Sequence, residues 1–227
     1  MVLSENFRKA AKDYFYLVQK GYHPRGFIEL VGNRYELTRQ ERTMLYRGIA
    51  PENIAEKRRQ KIISIEAAGC KELFIDGFNV ILTISSYLQG LPLFLSNDGF
   101  LRDASMMRGK IEMTNKIRDS VKLIFEFLVK NSIGKANFIL DKNVAIHPEI
   151  IAVINEFQLL ESCNYETHPT EKTDKTLSEI SSGIVCTSDS GIIDSCKSPV
   201  FDLAFHVLQS RFHPHFLSLR SFLDEMV

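Results

Sequence analysis

The sequence predicts a mixed α/β protein, a small all-helical segment followed by an α/β domain with a mainly parallel sheet. Three observations carry this. Residues 1–65 place apolar residues at helical spacing, punctuated by Gly, Pro and capping residues. From Lys71 onward, short apolar runs of strand length alternate with helical stretches, the pattern of βα units. Aspartates close several of those runs. The expected organisation is a basic helical domain over 1–68 and an α/β domain over 69–227.

Taken in order, Ser4 caps a first helix whose stripe is Phe7, Ala11, Tyr14, Phe15 and Val18, ended by Gly21. His23-Pro24 opens a second, short helix through Phe27, Ile28, Leu30 and Val31, stopped by Gly32-Asn33. Thr38 with Glu41 three residues on is a capping box for a third helix, holding Met44, Leu45 and Tyr46. Pro51 starts a fourth, expected to run from Glu52 to Ala68 and close at Gly69. The apolar runs 73–75, 80–84, 137–140, 163–166, 184–187 and 199–203 read as strand-like. The longest helical pattern covers 105–131, with Met107, Ile111, Ile117, Val121, Ile124, Phe125 and Leu128 on one face. Pro148 starts a helix to about Leu160, and Lys175 to Ser181 makes a short one.

Composition narrows the function classes. Apolar residues make up 44% of the 227, enough for a buried core, and no apolar run is long enough to span a membrane. Lys plus Arg and Asp plus Glu are equal at 28 each, but residues 1–65 hold 13 basic against 7 acidic residues. A basic piece joined to an acidic one suits a phosphate-binding module beside a metal site; ordinary charge variation between domains, or two domains docking on each other, gives the same pattern. Cys70, Cys163, Cys186 and Cys196 form no C-x-x-C pair and read as buried thiols. Without a signal-peptide stretch the chain is expected in the cytoplasm.

The chemistry is concentrated in carboxylates. Asp76-Gly77-Phe78-Asn79 follows a strand, and in a parallel sheet the carboxyl ends of strands line the ligand crevice. Asn79 can orient the Asp76 carboxylate; Asp-Gly is also a common turn. Lys172-Thr173-Asp174 opens a helix, where Asp174 serves as a cap or points into the crevice. Thr187-Ser188-Asp189 follows another strand, with Asp194 five residues later; Thr187 and Ser188 can orient these acids, or the run is a polar turn. Asp141 ends a strand on an undetermined side of the sheet. Carboxylates packed together raise one another's pKa and need a cation to neutralise them. All-oxygen donors favour Mg²⁺ or Mn²⁺, which can activate water and stabilise charge on a phosphodiester.

The order of Asp76-Gly77-Phe78-Asn79, Lys172-Thr173-Asp174 and Thr187-Ser188-Asp189 with Asp194 resembles that of PIN-like nucleases, including their NYN branch. The whole chain is similar to a group in which a small helical domain precedes a PIN-like domain. That wider resemblance is carried by Gly21-Tyr22, Leu30-Val31-Gly32-Asn33-Arg34-Tyr35 and Leu45-Tyr46-Arg47-Gly48. It implies a PIN-like three-layer fold and a metal-dependent endoribonuclease. Asp76, Asp174 and Asp189 would be metal ligands and catalytic acids, with Asp194 a further ligand or supporting acid, and the products would carry 5′-phosphate and 3′-hydroxyl ends. The alternative is an RNA-binding or regulatory module whose acidic site is degenerate. The segment between Ile81 and Lys110 departs from the pattern and reads as a lid, with Arg102 holding a phosphate, or as a hairpin completing the core. Asp98 and Asp103 read there as turn residues.

RNA is the expected partner, with no membrane; a homo-oligomer is compatible with the sequence. Arg34, Arg39, Arg42 and Arg47, interleaved with Tyr35 and Tyr46, can grip a phosphate backbone and stack on bases, or form a solvated face over core tyrosines. His147 and His168 precede prolines and read as loop residues. His206, His213 and His215 lack a carboxylate at ligand spacing for zinc. No Gly-rich phosphate loop is present. An aspartate-nucleophile phosphatase would need an acid where Phe78 stands.

Overall fold

A computed structural model describes residues 3–68, 71–104, 113–161 and 164–225. The helical N-terminus contains α1 (Glu5–Gln19), a 3-10 turn (Pro24–Gly26), α2 (Ile28–Arg34), α3 (Arg39–Gly48), α4 (Glu52–Arg59) and the short α5 (Ile65–Ala68). Then come β1 (Leu73–Asp76), α6 (Gly77–Leu88), β2 (Leu93–Leu95), β3 (Leu101–Asp103), α7 (Asn115–Lys130), β4 (Ala136–Asp141) and α8 (His147–Glu161). The chain closes with β5 (Tyr165–Thr170), α9 (Thr173–Ser178), β6 (Ile184–Cys186), α10 (Ser190–Ser195), α11 (Leu203–Phe212), β7 (Leu217–Ser218) and α12 (Leu219–Asp224). Cys70, Cys163, Gly69, Met107 and Ile111, which entered the sequence reading, lie outside the described residues.

Two compact units share the chain, and the division is discontinuous. One comprises Met1–Gln60, Gly90–Met106 and His215–Val227; the other comprises Lys61–Gln89 and Met107–Pro214. A single cut after residue 68 does not follow these lines. The reason is packing: Phe94 from β2 and Leu219, Phe222 and Leu223 from the C-terminus share one core with Phe7, Tyr14, Val18, Met44 and Leu45 of the helices. The segment 91–103 is therefore a hairpin, β2 antiparallel to β3, with β7 added parallel to β2.

In this helical unit the sequence signals act as expected at α1 and α3. The Ser4 hydroxyl accepts the Phe7 N–H, and the Thr38–Glu41 capping box is complete. The helix expected over 52–68 breaks after Arg59. Ile62 leaves the helical path to make a parallel bridge with Val200, and the Lys61 ammonium donates to the carbonyls of Ile193 (2.5 Å) and Cys196 (2.7 Å). Those partners are far away in sequence, so no local pattern announces the break.

The second unit is built on a four-stranded parallel sheet of order β5-β4-β1-β6. Strand neighbours point to opposite faces. Phe138 stacks on Phe125 of α7, which also meets Phe157 of α8 and Tyr165. The adjacent Ile139 packs on the other face with Val185, Leu177 of α9 and Ile192 of α10. Helices thus cover both faces. The run 80–84, read as strand-like, lies inside α6, where Val80, Ile81 and Ile84 are all buried; a short buried apolar run carries no periodicity that separates helix from strand. His168-Pro169 lies within β5 rather than in a loop. β5 is an edge strand, where a proline lacking a ladder donor is tolerated. Val200 makes only single bridges, to Ile62 and Val185, before α11 begins.

Candidate active site at the switch point of the parallel sheet

The order β5-β4-β1-β6 reverses direction at β1: successive strands are laid down on one side, and β6 returns to the other. Between β1 and β6 the connections at the carboxyl ends diverge and leave a crevice. Asp76 is the last residue of β1, and Thr187-Ser188-Asp189 follow β6 directly. The chain from the edge strand β5 must pass back over β4 and β1 to reach β6, and it does so as α9, which carries Asp174 in its first turn.

Asp76 is buried, at 7% exposure. Its Oδ2 accepts a 2.8 Å hydrogen bond from the Thr187 hydroxyl, which in turn accepts the Asp189 N–H at 3.1 Å. Burial pushes the Asp76 carboxyl up to about 7. The Thr187 bond opposes the shift, and the neighbouring charges of Asp189 and Asp174 add to it. Asp189 and Asp174 are thus the acids whose charge bears on Asp76. Desolvation and like charge both raise a carboxyl pKa.

The surrounding polar atoms hold this edge in place. Asn79 Oδ1, one turn into α6, accepts both the backbone N–H (3.0 Å) and the hydroxyl (3.1 Å) of Ser188. Its side chain therefore clasps the ends of β1 and β6 together, while its backbone N–H bonds the Asp76 carboxyl and opposes the upward shift. Gly77 permits close packing behind the site, since a Cβ there would lie 2.4 Å from Leu140 Cδ2 and 3.2 Å from the Ile139 carbonyl. Asp189 is half-exposed and caps α10 through Oδ1, accepting from Gly191 N (2.8 Å) and Ile192 N (3.3 Å). Cap and crevice roles thus coexist in one carboxylate. Asp174 is exposed.

The remaining sequence candidates separate from this cluster. Asp194 is exposed at the far end of α10, and its charge acts on Cys196. Asp141 ends β4 at the same edge of the sheet, but its Oδ1 is engaged by the Asn143 backbone and side chain, both at 2.8 Å, as a turn. Among the described residues, no group of three or more His, Cys, Asp or Glu side chains stands in a metal-holding arrangement. The donor type at Asp76, Asp174 and Asp189 fits a hard divalent cation; a closed three-donor group is not formed by the side chains as placed.

The arginines divide in the same way. Arg102 is buried, bonded to the Arg47 carbonyl and ion-paired at 2.6 Å with Asp98, which Arg58 also holds at 2.9 Å. Asp98 is fully buried, and burial raises its carboxyl while the charges of Arg102 and Arg58 more than offset this and hold it low. A phosphate grip by Arg102 would require breaking that network. Arg42 lies under Gly32 and reaches the Glu29 carboxylate, the Asn33 amide oxygen and the Leu37 carbonyl. Arg47 donates to the Asp103 carbonyl at 3.1 Å. Arg34 and Arg39 are exposed, with Arg34 over the Tyr35 ring. The sequence reading missed Asp98, because an Asn-Asp-Gly turn gives no sign that its carboxylate is enclosed.

The fold defines an α/β protein with a mainly parallel sheet and a buried Asp76 at its switch point, joined to a helical N-terminal region. The chain belongs to the family described as Domain of unknown function (DUF5616), which matches residues 65–206. Residues 6–61 match Protein of unknown function (DUF434). The chain is 27% identical over 199 residues to Uncharacterized protein MJ0935 of Methanocaldococcus jannaschii, covering 84% of this chain and 90% of that protein. No solved structure matches it. No helix among the described residues is long and apolar enough to cross a membrane.

Proposed function

We propose that this chain is a PIN-like, Mg²⁺- or Mn²⁺-dependent endoribonuclease, with Asp76, Asp174 and Asp189 as its acidic centre. The observation that supports this is the buried Asp76 carboxyl at the end of β1, bonded by Thr187 from the end of β6 and raised by burial and by the charges of Asp189 and Asp174. Structural carboxylates in this protein are treated differently: Asp98 is enclosed by two arginines. An uncompensated acidic cluster disfavours folding and is expected where a cation or a proton is used.

Asp76, Asp174 and Asp189 would hold the ion. When bound, a divalent cation supplies Lewis acidity and neutralises charge developing on a phosphodiester. The protein's own part is to fix the donors. Thr187 orients Asp76, the α10 cap fixes Asp189, and Asn79 keeps the β1 and β6 ends at constant separation. The exposure of Asp174 leaves it free to adjust to a ligand. Asp194 and Asp141 belong outside the ligand set, as supporting acids at most.

A second reading, a non-catalytic RNA-binding or regulatory module, is favoured by the lack of a three-donor group among the described residues. Incubating the purified protein with end-labelled RNA and Mn²⁺ separates the two. The nuclease reading expects cleavage that stops with chelator and falls at least about 100-fold in Asp76→Asn and Asp189→Asn. Binding without cleavage, unaffected by chelator, favours the second reading. Equal cutting by parent and variants rejects the assigned site.

A further inference from the structure

Two tyrosines of the helical unit stand largely in solvent, Tyr16 (61% exposed) and Tyr22 (62%), and Tyr46 is 41% exposed. Such rings offer an apolar face with a polar tip, the combination enriched at interfaces. Tyr16 lies at the C-terminal end of α1, with the Lys20 ammonium 5.5 Å from its ring centre. Tyr22 follows in the turn, where its N–H bonds the Leu17 carbonyl and folds the loop back onto the helix end. Arg25, in the 3-10 turn, donates its Nε–H to the Tyr46 hydroxyl at 3.3 Å and so ties this loop to α3. The end of α1, the loop after it and α3 therefore form one neighbourhood.

Two cations stand at these rings: Lys20 over Tyr16, and Arg25 on the Tyr46 hydroxyl; Arg42 of α3 is instead paired with Glu29. The other tyrosine–arginine pair of this unit differs, because the Tyr35 hydroxyl donates to the Asp13 carboxylate at 2.6 Å beside Arg34. Open rings beside Lys20 and Arg25 match the requirements of single-stranded nucleic acid: π-faces for stacking bases and cations for the intervening phosphates. A duplex hides its base faces and cannot use the tyrosines.

We propose that Tyr16, Lys20, Tyr22, Arg25 and Tyr46 form a docking surface for single-stranded RNA. The inference rests on the reading of the chain as an RNA-acting protein but assigns a surface separate from the acidic centre and largely different from the arginines that the sequence suggested. Lys20 and Arg25 supply the salt-dependent part of binding, and the rings supply the preference for unpaired bases.

The test is fluorescence anisotropy of a labelled 12-nucleotide oligouridylate with full-length protein carrying Asp76→Asn, which keeps the probe intact. Binding is expected to exceed that of a 12-base-pair RNA duplex at least tenfold. The added pair Tyr16→Ala and Tyr46→Ala should weaken it at least tenfold, while Tyr16→Phe keeps it, and Arg25→Ala should reduce its salt dependence. Unchanged thermal melting shows that the exposed substitutions leave the fold intact. Equal binding by the alanine variants, preference for duplex, no binding, or binding only to anionic lipid vesicles would overturn the proposal. Cleavage by the parent protein is scored separately: RNA cut equally well by the tyrosine variants ends this inference alone, and binding without any cleavage ends the nuclease reading alone.

Discussion

Asp98 and Asp76 are both buried aspartates, and their neighbours give them opposite chemistry. Asp98 accepts from Arg58, Arg102 and the Ser96 hydroxyl, so its charge is matched. Removing it would take a buried carboxylate from between two guanidinium groups. Asp98→Ala should cost about 3 to 5 kcal/mol, the range for breaking a buried pair from one side. Urea unfolding measures this; a loss below about 1 kcal/mol would show that the arginines find other partners. The sequence announces Asp76 and hides Asp98. Asp76 ends an apolar run and begins a helix, a position visible in one dimension, whereas the partners of Asp98 lie 40 residues before it and four after it. Arg102 reads as an exposed phosphate ligand for the same reason: its i−4 neighbour supplies a carboxylate that only the closed hairpin brings within reach.

At the scale of elements, local signals were legible where the controlling contacts are local. Caps at Ser4 and Thr38 depend on residues three positions away, and both helices start as read. The break after α4, the helical state of 80–84 and the strand through His168-Pro169 are set by distant partners and by place in the sheet. Gly183, which leads into β6, shows a backbone demand of this kind. Its φ is +109°, and a Cβ there would stand 2.8 Å from the Glu72 carbonyl oxygen and 2.8 Å from the Phe74 ring. Gly183→Ala combines left-handed strain, roughly 1 to 3 kcal/mol, with a collision against backbone. A fall in the urea midpoint is expected, together with faster amide exchange at Ile184, whose N–H bonds that same Glu72 carbonyl. Unchanged midpoint and exchange would mean that β1 and β6 can separate freely.

For the whole molecule, the fold class was legible from alternating patterns, while the division into units was not. The sequence suggests a cut near residue 68, but β2, β3, β7 and α12 join the helical unit through Phe94, Leu219 and Phe222. Counted over the compact units, the helical one holds 14 basic against 11 acidic residues, a smaller excess than the first 65 residues suggest. The proposed acidic site depends on a different long-range feature, the winding of β1, α9 and β6, through which the charges of Asp174 and Asp189 bear on Asp76. That convergence also sets a pH dependence. A carboxyl raised from 3.8 to about 7 on folding keeps its proton where the unfolded chain has lost it. The folded state then binds more protons between those values, so this group's contribution to stability is present at acidic pH and is lost as pH rises towards 7.

Carbon-13 NMR titration of the Asp76 carboxyl, with and without saturating Mg²⁺, tests the convergence and the cation together. We expect titration near 7 in the parent protein, a lower value in Asp189→Asn, and a further marked fall when Mg²⁺ is added to the parent. Titration of Asp76 in the ordinary aspartate range, unmoved by Asp189→Asn and by Mg²⁺, would contradict the account.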